Sequence, residues 1–202
     1  MNLEDKLRIY KTKRDFSRTD EPSGRKIIKN KIPIFVIQKH KASRLHYDFR
    51  IEVDGVLKSW AVPKGPSTDP GVKRLAIPTE DHPIEYAKFE VFIPEEEYGG
   101  GKMIVWDLGT YRINAAETDD RQLKTAEYLE NGKLEIWLEG KKLVGGYVLV
   151  RTGSGNKPRW LLIKKNDERA NRNYDITEQR PESVLSGKTI EELKIIEDEE
   201  NG

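Results

Sequence analysis

Residues 45–62 restrict the fold of this chain more than any other stretch. From Leu45 to Val53 the residues alternate strictly, with Leu45, Tyr47, Phe49, Ile51 and Val53 on one side and His46, Asp48, Arg50 and Glu52 on the other. A period of two is that of a β-strand with one apolar and one polar face. Asp54-Gly55 supplies a hairpin turn, and Val56–Val62 returns along the first strand with Trp60 inside it. The polar face is the unusual part. An ordinary exposed strand carries Lys, Glu or Thr there, whereas this one reads His-x-Asp-x-Arg. Alternate side chains on a strand lie roughly 6.6 Å apart and point the same way. His46 and Asp48 can therefore reach one metal ion, with Arg50 one step further along.

The same punctuation recurs along the chain. Leu3, Leu7 and Tyr10 predict a short helix over 3–10, followed by a basic arm over 11–31. Strands are expected at Ile34–Gln38, Lys73–Ile77, Lys88–Ile93, Met103–Asp107, Thr110–Asn114, Lys133–Leu138, Tyr147–Arg151 and Arg159–Lys164. Gly99–Gly101 reads as a loop closed to large side chains. Arg121–Asn131 reads as one short helix stopped at Gly132, and Thr189 with Glu192 as a capping box opening a terminal helix through Leu193, Ile195 and Ile196. Many short strands without strand–helix alternation predict a mainly β protein, a sandwich or a closed or nearly closed barrel with a few helices packed outside. The expected division is a helix and basic arm over 1–33, the β-barrel over 34–170, and a helical extension with an acidic tail over 171–202.

Composition narrows the setting. Of 202 residues, 36% are hydrophobic and 35% charged, so polar tails around a compact core are expected. No apolar run approaches the roughly 18 residues of a membrane span, and the N-terminus lacks the apolar core of a signal peptide. Cys is absent. These features predict a cytoplasmic protein without a membrane partner. The net charge of +1 conceals an asymmetry: residues 1–50 carry 14 basic and 6 acidic residues, and residues 191–202 one basic and six acidic. A basic front end is the footprint of a polyanion-binding surface and equally of a solvated, charge-rich tail.

Three groups of residues carry chemistry. His40, His46 and Asp48 form two imidazoles and a carboxylate, a set that suits Mn²⁺, Fe²⁺, Co²⁺ or Zn²⁺ and leaves positions open for water and substrate. Arg50, Lys64 in its Pro-Lys-Gly-Pro turn, and Arg74 are cations suited to phosphate. Glu80-Asp81-His82-Pro83, with Tyr86 behind it, offers an imidazole in extended backbone that would donate a proton to a leaving oxygen or hydrogen-bond a phosphate. The rival readings are a non-haem Fe²⁺ oxygenase using His46, Asp48 and His82, a non-catalytic module gripping nucleic-acid ends, and a plain structural barrel.

In these motifs the chain resembles the 3′-phosphoesterase module of bacterial DNA ligase D. The resemblance covers roughly residues 10–170. It rests on His40, His46-Tyr47-Asp48 and Arg50, Trp60 to Pro66, Glu80 to Pro83 with Tyr86, Gly99–Gly101, Trp106 to Thr110, and the arm signature Lys13–Phe16 with Glu21-Pro22. The resemblance implies an active site in the concave face of a barrel and Mn²⁺-dependent healing of 3′ ends, with Co²⁺ and Zn²⁺ as further candidate ions. A diesterase step would remove a terminal ribonucleoside, and a monoesterase step the remaining 3′-phosphate. It implies that His40, His46 and Asp48 hold the metal, that Arg50, Lys64, Arg74, His82 and Tyr86 act on the scissile phosphate, that Arg14, Asp15 and Glu21 close over the substrate, and that Gln38 assists. The implied partners are the DNA or RNA 3′ end of a primer–template and a separate ligase or polymerase of end joining; a monomer is expected.

Overall fold

The computed structural model describes residues 2–24, 28, 30–93, 96–113, 121–153 and 158–193. Ten strands follow one short helix: β1 Ile34–Lys41, β2 Leu45–Val53, β3 Val56–Val62, β4 Lys73–Pro78, β5 His82–Pro83, β6 Val91–Ile93, β7 Gly101–Ile113, β8 Lys133–Gly140, β9 Val144–Thr152 and β10 Arg159–Lys164. Helix α1 spans Leu3–Thr12, α2 Arg121–Glu130 and α3 Ile176–Gln179. The sheet order β1-β2-β3-β4-β10-β9-β8-β7 closes through a β1–β7 pairing, so eight strands make an antiparallel barrel; β5 pairs onto β3, and β6 onto β7. The expected mainly β barrel with helices outside is the fold observed.

Two apolar clusters lie on opposite sides of the barrel wall. All eight wall strands contribute to the interior cluster, which takes Phe35 and Ile37 of β1, the alternating Tyr47, Phe49, Ile51 and Val53 of β2, and Trp60, Trp106, Tyr111 and Trp160. The second cluster sits outside, where Tyr10 of α1, Val36, Leu57, Val105 and Met103 of the wall, and Ile84 and Tyr86 of a 3-10 turn over Ile84–Lys88 pack together. Burial of a large apolar side chain contributes roughly 1.5–3 kcal/mol, so the outer cluster is what holds α1 and the 82–93 segment against the wall. α1 itself begins with a capping box: Asn2 Oδ1 accepts from Asp5 N–H at 2.8 Å while Asp5 accepts from Asn2 N–H.

Several elements differ from expectation. The two strands expected at Met103–Asp107 and Thr110–Asn114 are one strand, β7, carrying a β-bulge; Ile37 of β1 faces Asp107 and Gln38 faces Val105, which leaves Trp106 as the extra residue. The bulge changes which parity faces inward, so Val105 packs outside while Trp106 and Tyr111 pack inside. Asn114 lies outside the described residues. Strand β6 begins only at Val91, because Lys88 closes the 3-10 turn. Thr189 and Glu192 do form the reciprocal capping bonds, but residues 190–192 are turn, and Ile195 and Ile196 lie outside the described residues. In the glycine run, Gly101 has φ +130, and a Cβ there would stand 2.3 Å from the Lys41 carbonyl oxygen.

Candidate active site

Strand pairing assembles the site. His40 of β1 lies directly opposite His46 of β2, and Gln38 opposite Asp48. Since Tyr47 and Phe49 fill the interior, His46, Asp48 and Arg50 project from the outer face. The concave-face location implied by the resemblance is thus corrected: the ligand-bearing sides of β1 and β2 face away from the barrel interior, into a cavity of about 280 Å³ whose walls are Arg14, Glu80, His82, Tyr86, Tyr98 and Met103, among others.

His40, His46 and Asp48 place one potential ligand atom each within 4.8 Å of one another. His40 Nδ1 is 3.8 Å from Asp48 Oδ2, and His46 Nε2 is 3.7 Å from Asp48 Oδ1, separations too long for direct hydrogen bonds. His46 Nδ1 donates to the Arg44 carbonyl at 3.0 Å, which fixes the tautomer that leaves Nε2 free. His40 Nε2 is buried without a hydrogen-bond partner among the described residues. Burial lowers the His40 pKa to about 4, so the ring is neutral at neutral pH. Three convergent donors that do not satisfy one another fit a divalent cation, and this group could hold one.

Arg50 is the hub beside this group. Its Nε donates to Gln38 Oε1 at 2.8 Å, Nη1 to Ser59 Oγ at 2.9 Å, and Nη2 to Asp48 Oδ2 at 3.1 Å. Nη1 also stands 2.8 Å from His82 Nδ1, and the guanidinium lies 5.1 Å from the Tyr86 ring centroid. Gln38 is fully buried and donates to the Tyr86 and Phe89 carbonyls, both at 3.0 Å. Its amide thereby orients Arg50 and anchors the 3-10 turn.

His82 sits between two guanidiniums, with Arg14 Nη2 3.4 Å from its Nε2. Burial, then Arg50, then Arg14 push its pKa well below that of an ordinary imidazole. Arg14 reaches in from the arm, with its Nε donating to Glu21 Oε1 at 2.8 Å and Nη1 to Glu80 Oε1 at 3.2 Å, and it stacks 3.9 Å above the Tyr10 ring. Tyr86 donates to the same Glu21 oxygen at 2.8 Å. Burial and the Glu21 carboxylate hold the Tyr86 hydroxyl pKa well above the usual phenol range, so the proton stays on.

Of the residues singled out in the sequence, His40, His46, Asp48, Arg50, His82, Tyr86 and Arg14 line one cavity, Glu21 backs it, and Gln38 lies beneath it. Three fall elsewhere. Asp15 is exposed and binds Ser17 N–H and Oγ at 3.0 and 2.7 Å. Lys64 is exposed in the turn after β3. Arg74 shares a strand face with Ala76 of the interior cluster and lines a separate cavity of about 230 Å³ at the barrel end, with Arg172, Asp69 and Asp175. Glu80, Ser59 and Tyr98 also stand near the site, although the sequence assigns none of them a role there. Glu80 stands two residues before His82 in the same motif. Ser59 is recognisable only from its pairing opposite Arg50.

The chain belongs to the DNA ligase D 3′-phosphoesterase domain family, whose model matches residues 38–151. It is similar to the multifunctional non-homologous end joining protein LigD of Pseudomonas aeruginosa, with 50% identity over 91% of this chain and 22% of that protein. It is also 42% identical to the non-homologous end joining DNA repair protein LigD of Mycobacterium tuberculosis, over 94% of this chain and 24% of the relative. The LigD of Mycolicibacterium smegmatis is likewise 42% identical over 86% of the chain. The chain spans less than a quarter of the length of these curated relatives. Among the described residues, no helix is long and apolar enough to cross a membrane.

Proposed function

We propose that this protein is a metal-dependent esterase that heals the 3′ ends of DNA or RNA strands in a primer–template. A phosphodiester step would remove a terminal 3′ ribonucleoside, and a phosphomonoester step would then remove the 3′-phosphate to leave a 3′-OH. Mn²⁺ is the proposed ion, with Co²⁺ and Zn²⁺ as substitutes, and a ligase or polymerase of end joining is the proposed consumer of the healed end. The observation carrying this reading is the shared cavity: the His40–His46–Asp48 group and the phosphate-ready Arg50 and Arg14 open onto the same space.

A cation bound by that group would polarise a phosphoryl oxygen and lower the pKa of a bound water. The chain's own residues do the remaining work. Arg50, held by Gln38 and Ser59, presents fixed positive charge to the equatorial oxygens without having to reorient. Arg14 Nε and the Tyr86 hydroxyl, now directed at Glu21, are donors that a phosphoryl oxygen would share or take over. His82 enters as a neutral imidazole; an approaching phosphate raises its pKa and lets it hold the proton needed by the leaving sugar oxygen. A His46–Asp48–His82 oxygenase triad is disfavoured, because both ring nitrogens of His82 face guanidinium groups and His40 takes the third place beside Asp48.

The test is a primer–template ending in one ribonucleotide, incubated with Mn²⁺, with its 3′ products resolved by electrophoresis. A 3′-phosphate intermediate followed by a 3′-OH strand is expected. Binding of the end with no product under any divalent cation would instead favour an end-binding module.

A further inference from the structure

The cavity is walled unevenly. Arg14, Glu80, His82 and Tyr86 close one side, and Tyr98, Gly99 and Met103 another. Toward β3 and β4 the lining includes only Thr79. Beyond Thr79 the outer wall continues as an apolar surface. Asp48 pairs with Ala61, and Ala61 with Ile77, so a metal-site carboxylate and an exposed isoleucine share one cross-strand row about 10 Å apart. In the next row Leu75 pairs with Leu161. Ala76, Trp160 and Leu162 belong to the interior cluster, so Ile77, Leu75 and Leu161 face outward. Ile77 and Leu75 are 43% and 39% exposed. The same outer face carries exposed Lys73 on β4 and exposed Arg159 on β10, and neither makes an ion pair among the described residues. None of the outward residues of β3, β4 and β10 is acidic.

We infer that this face of β3, β4 and β10 is a shelf for the last nucleosides of the substrate strand, with sugars and bases lying on Ala61, Ile77, Leu75 and Leu161 while Lys73 and Arg159 meet backbone phosphates. The inference rests on the 3′-end reading above. Its grounds are continuity with the cavity, the absence of acidic residues, and the flanking cations. An apolar surface whose only charged outward residues on these strands are the cations Lys73 and Arg159 fits a polyanion with flat apolar bases better than it fits a generic protein partner. The shelf also gives a direction, since the strand approaches over β4 and ends at Asp48.

The experiment compares the full chain with the double variant Ile77→Ser and Leu75→Ser, at exposed positions outside the cavity. Fluorescence anisotropy measures binding of a single-stranded 3′-phosphorylated oligonucleotide and of the same strand with abasic sites at its last three positions. Loss of affinity by roughly tenfold, corresponding to about 1.4 kcal/mol, is expected for the intact strand, with little or no further loss for the abasic one. Equal losses on both strands, or no loss on either, overturn the shelf. A concentration-dependent change in sedimentation of the unvaried chain that the variant abolishes reassigns the face to contact between copies. Phosphate release from the intact strand by the unvaried chain is scored separately. Its absence alongside the predicted binding pattern counts against the esterase reading and leaves the shelf standing.

Discussion

The cavity outside β1 and β2 and the cavity at the barrel end contain similar side chains arranged on opposite plans. Both hold arginines and carboxylates, in about 280 and 230 Å³ respectively. In the first, each arginine is pinned: Arg50 by Gln38, Ser59 and Asp48, and Arg14 by Glu21, Glu80 and the Tyr10 carbonyl. In the second, Asp175 spends its carboxylate on the N–H and hydroxyl of Thr177 at the start of α3, Asp69 accepts from Gly71 N–H, and the buried Arg74 Nε has no hydrogen-bond partner among the described residues. Residue identity alone does not make a reactive site. A charge positioned in advance costs no reorganisation when the reaction needs it, whereas an untethered one must first be ordered.

The largest expected effect comes from the carboxylate that both bonds Arg50 and faces the imidazoles. Asp48→Asn should abolish Mn²⁺ binding by calorimetry and lower phosphate release on the order of a thousandfold or more. Retained metal binding would place the ion elsewhere.

Gln38→Leu separates positioning from contact. It leaves Arg50 Nε and the Tyr86 and Phe89 carbonyls without their partners. We expect a stability loss of about 1–3 kcal/mol and a fall in kcat of roughly ten- to a hundredfold, with Mn²⁺ affinity little changed. An unaltered kcat would show that Arg50 needs no second support.

Acidification should act through the same cavity. Because His82 is held below the ordinary value of 6.5, below that pH the unfolded chain binds a proton that the folded chain does not, and stability falls as pH falls toward the folded value. Asp107 acts in the opposite sense. Burial raises its pKa from 3.8 to about 6, so its contribution is fully present below the lower value and is lost as pH rises through the upper one. In the metal-free protein, His82→Gln should flatten the acid-side fall in melting temperature, while Asp107→Asn should steepen it. Parallel profiles for the two variants would contradict the assignment.

The smallest effect belongs to the second cavity. Arg74→Ala should leave Mn²⁺ affinity within about twofold, an energy difference of no more than ~0.4 kcal/mol. A larger loss would bring Arg74 within reach of the metal group.

Much of this site is legible in the sequence because its key residues lie on one alternating strand. Once Leu45–Val53 reads as β, the common facing of His46, Asp48 and Arg50 follows, and His40 needs only the antiparallel pairing of β1. The sequence groups Arg74 with Arg50, because single-strand periodicity says nothing about which cavity a face borders. Its location depends on residues 172–176, nearly 100 positions downstream, which meet the barrel end only after closure. Asp15 fails for a different reason: a short acidic side chain beside Ser17 satisfies itself locally. The bulge has no signature in the sequence, since one extra residue leaves composition untouched and shifts only phase.

That bulge carries a consequence for how the chain tolerates change. Before Trp106, β7 carries an outward odd-numbered pair, Met103 and Val105; after it, odd-numbered Tyr111 and Ile113 face inward. The strand is two half-sentences read in different frames, one written for the site side and one for the interior. Substituting Trp106 would cost packing, whereas deleting it would restore a uniform frame in which Met103 and Val105 still face outward and Tyr111 and Ile113 still face inward. Chemistry, rather than length, is the property that natural variation should guard most strictly at this point in the wall, because the extra residue adds an indole that packs in the interior and donates to the Arg180 carbonyl at 2.6 Å.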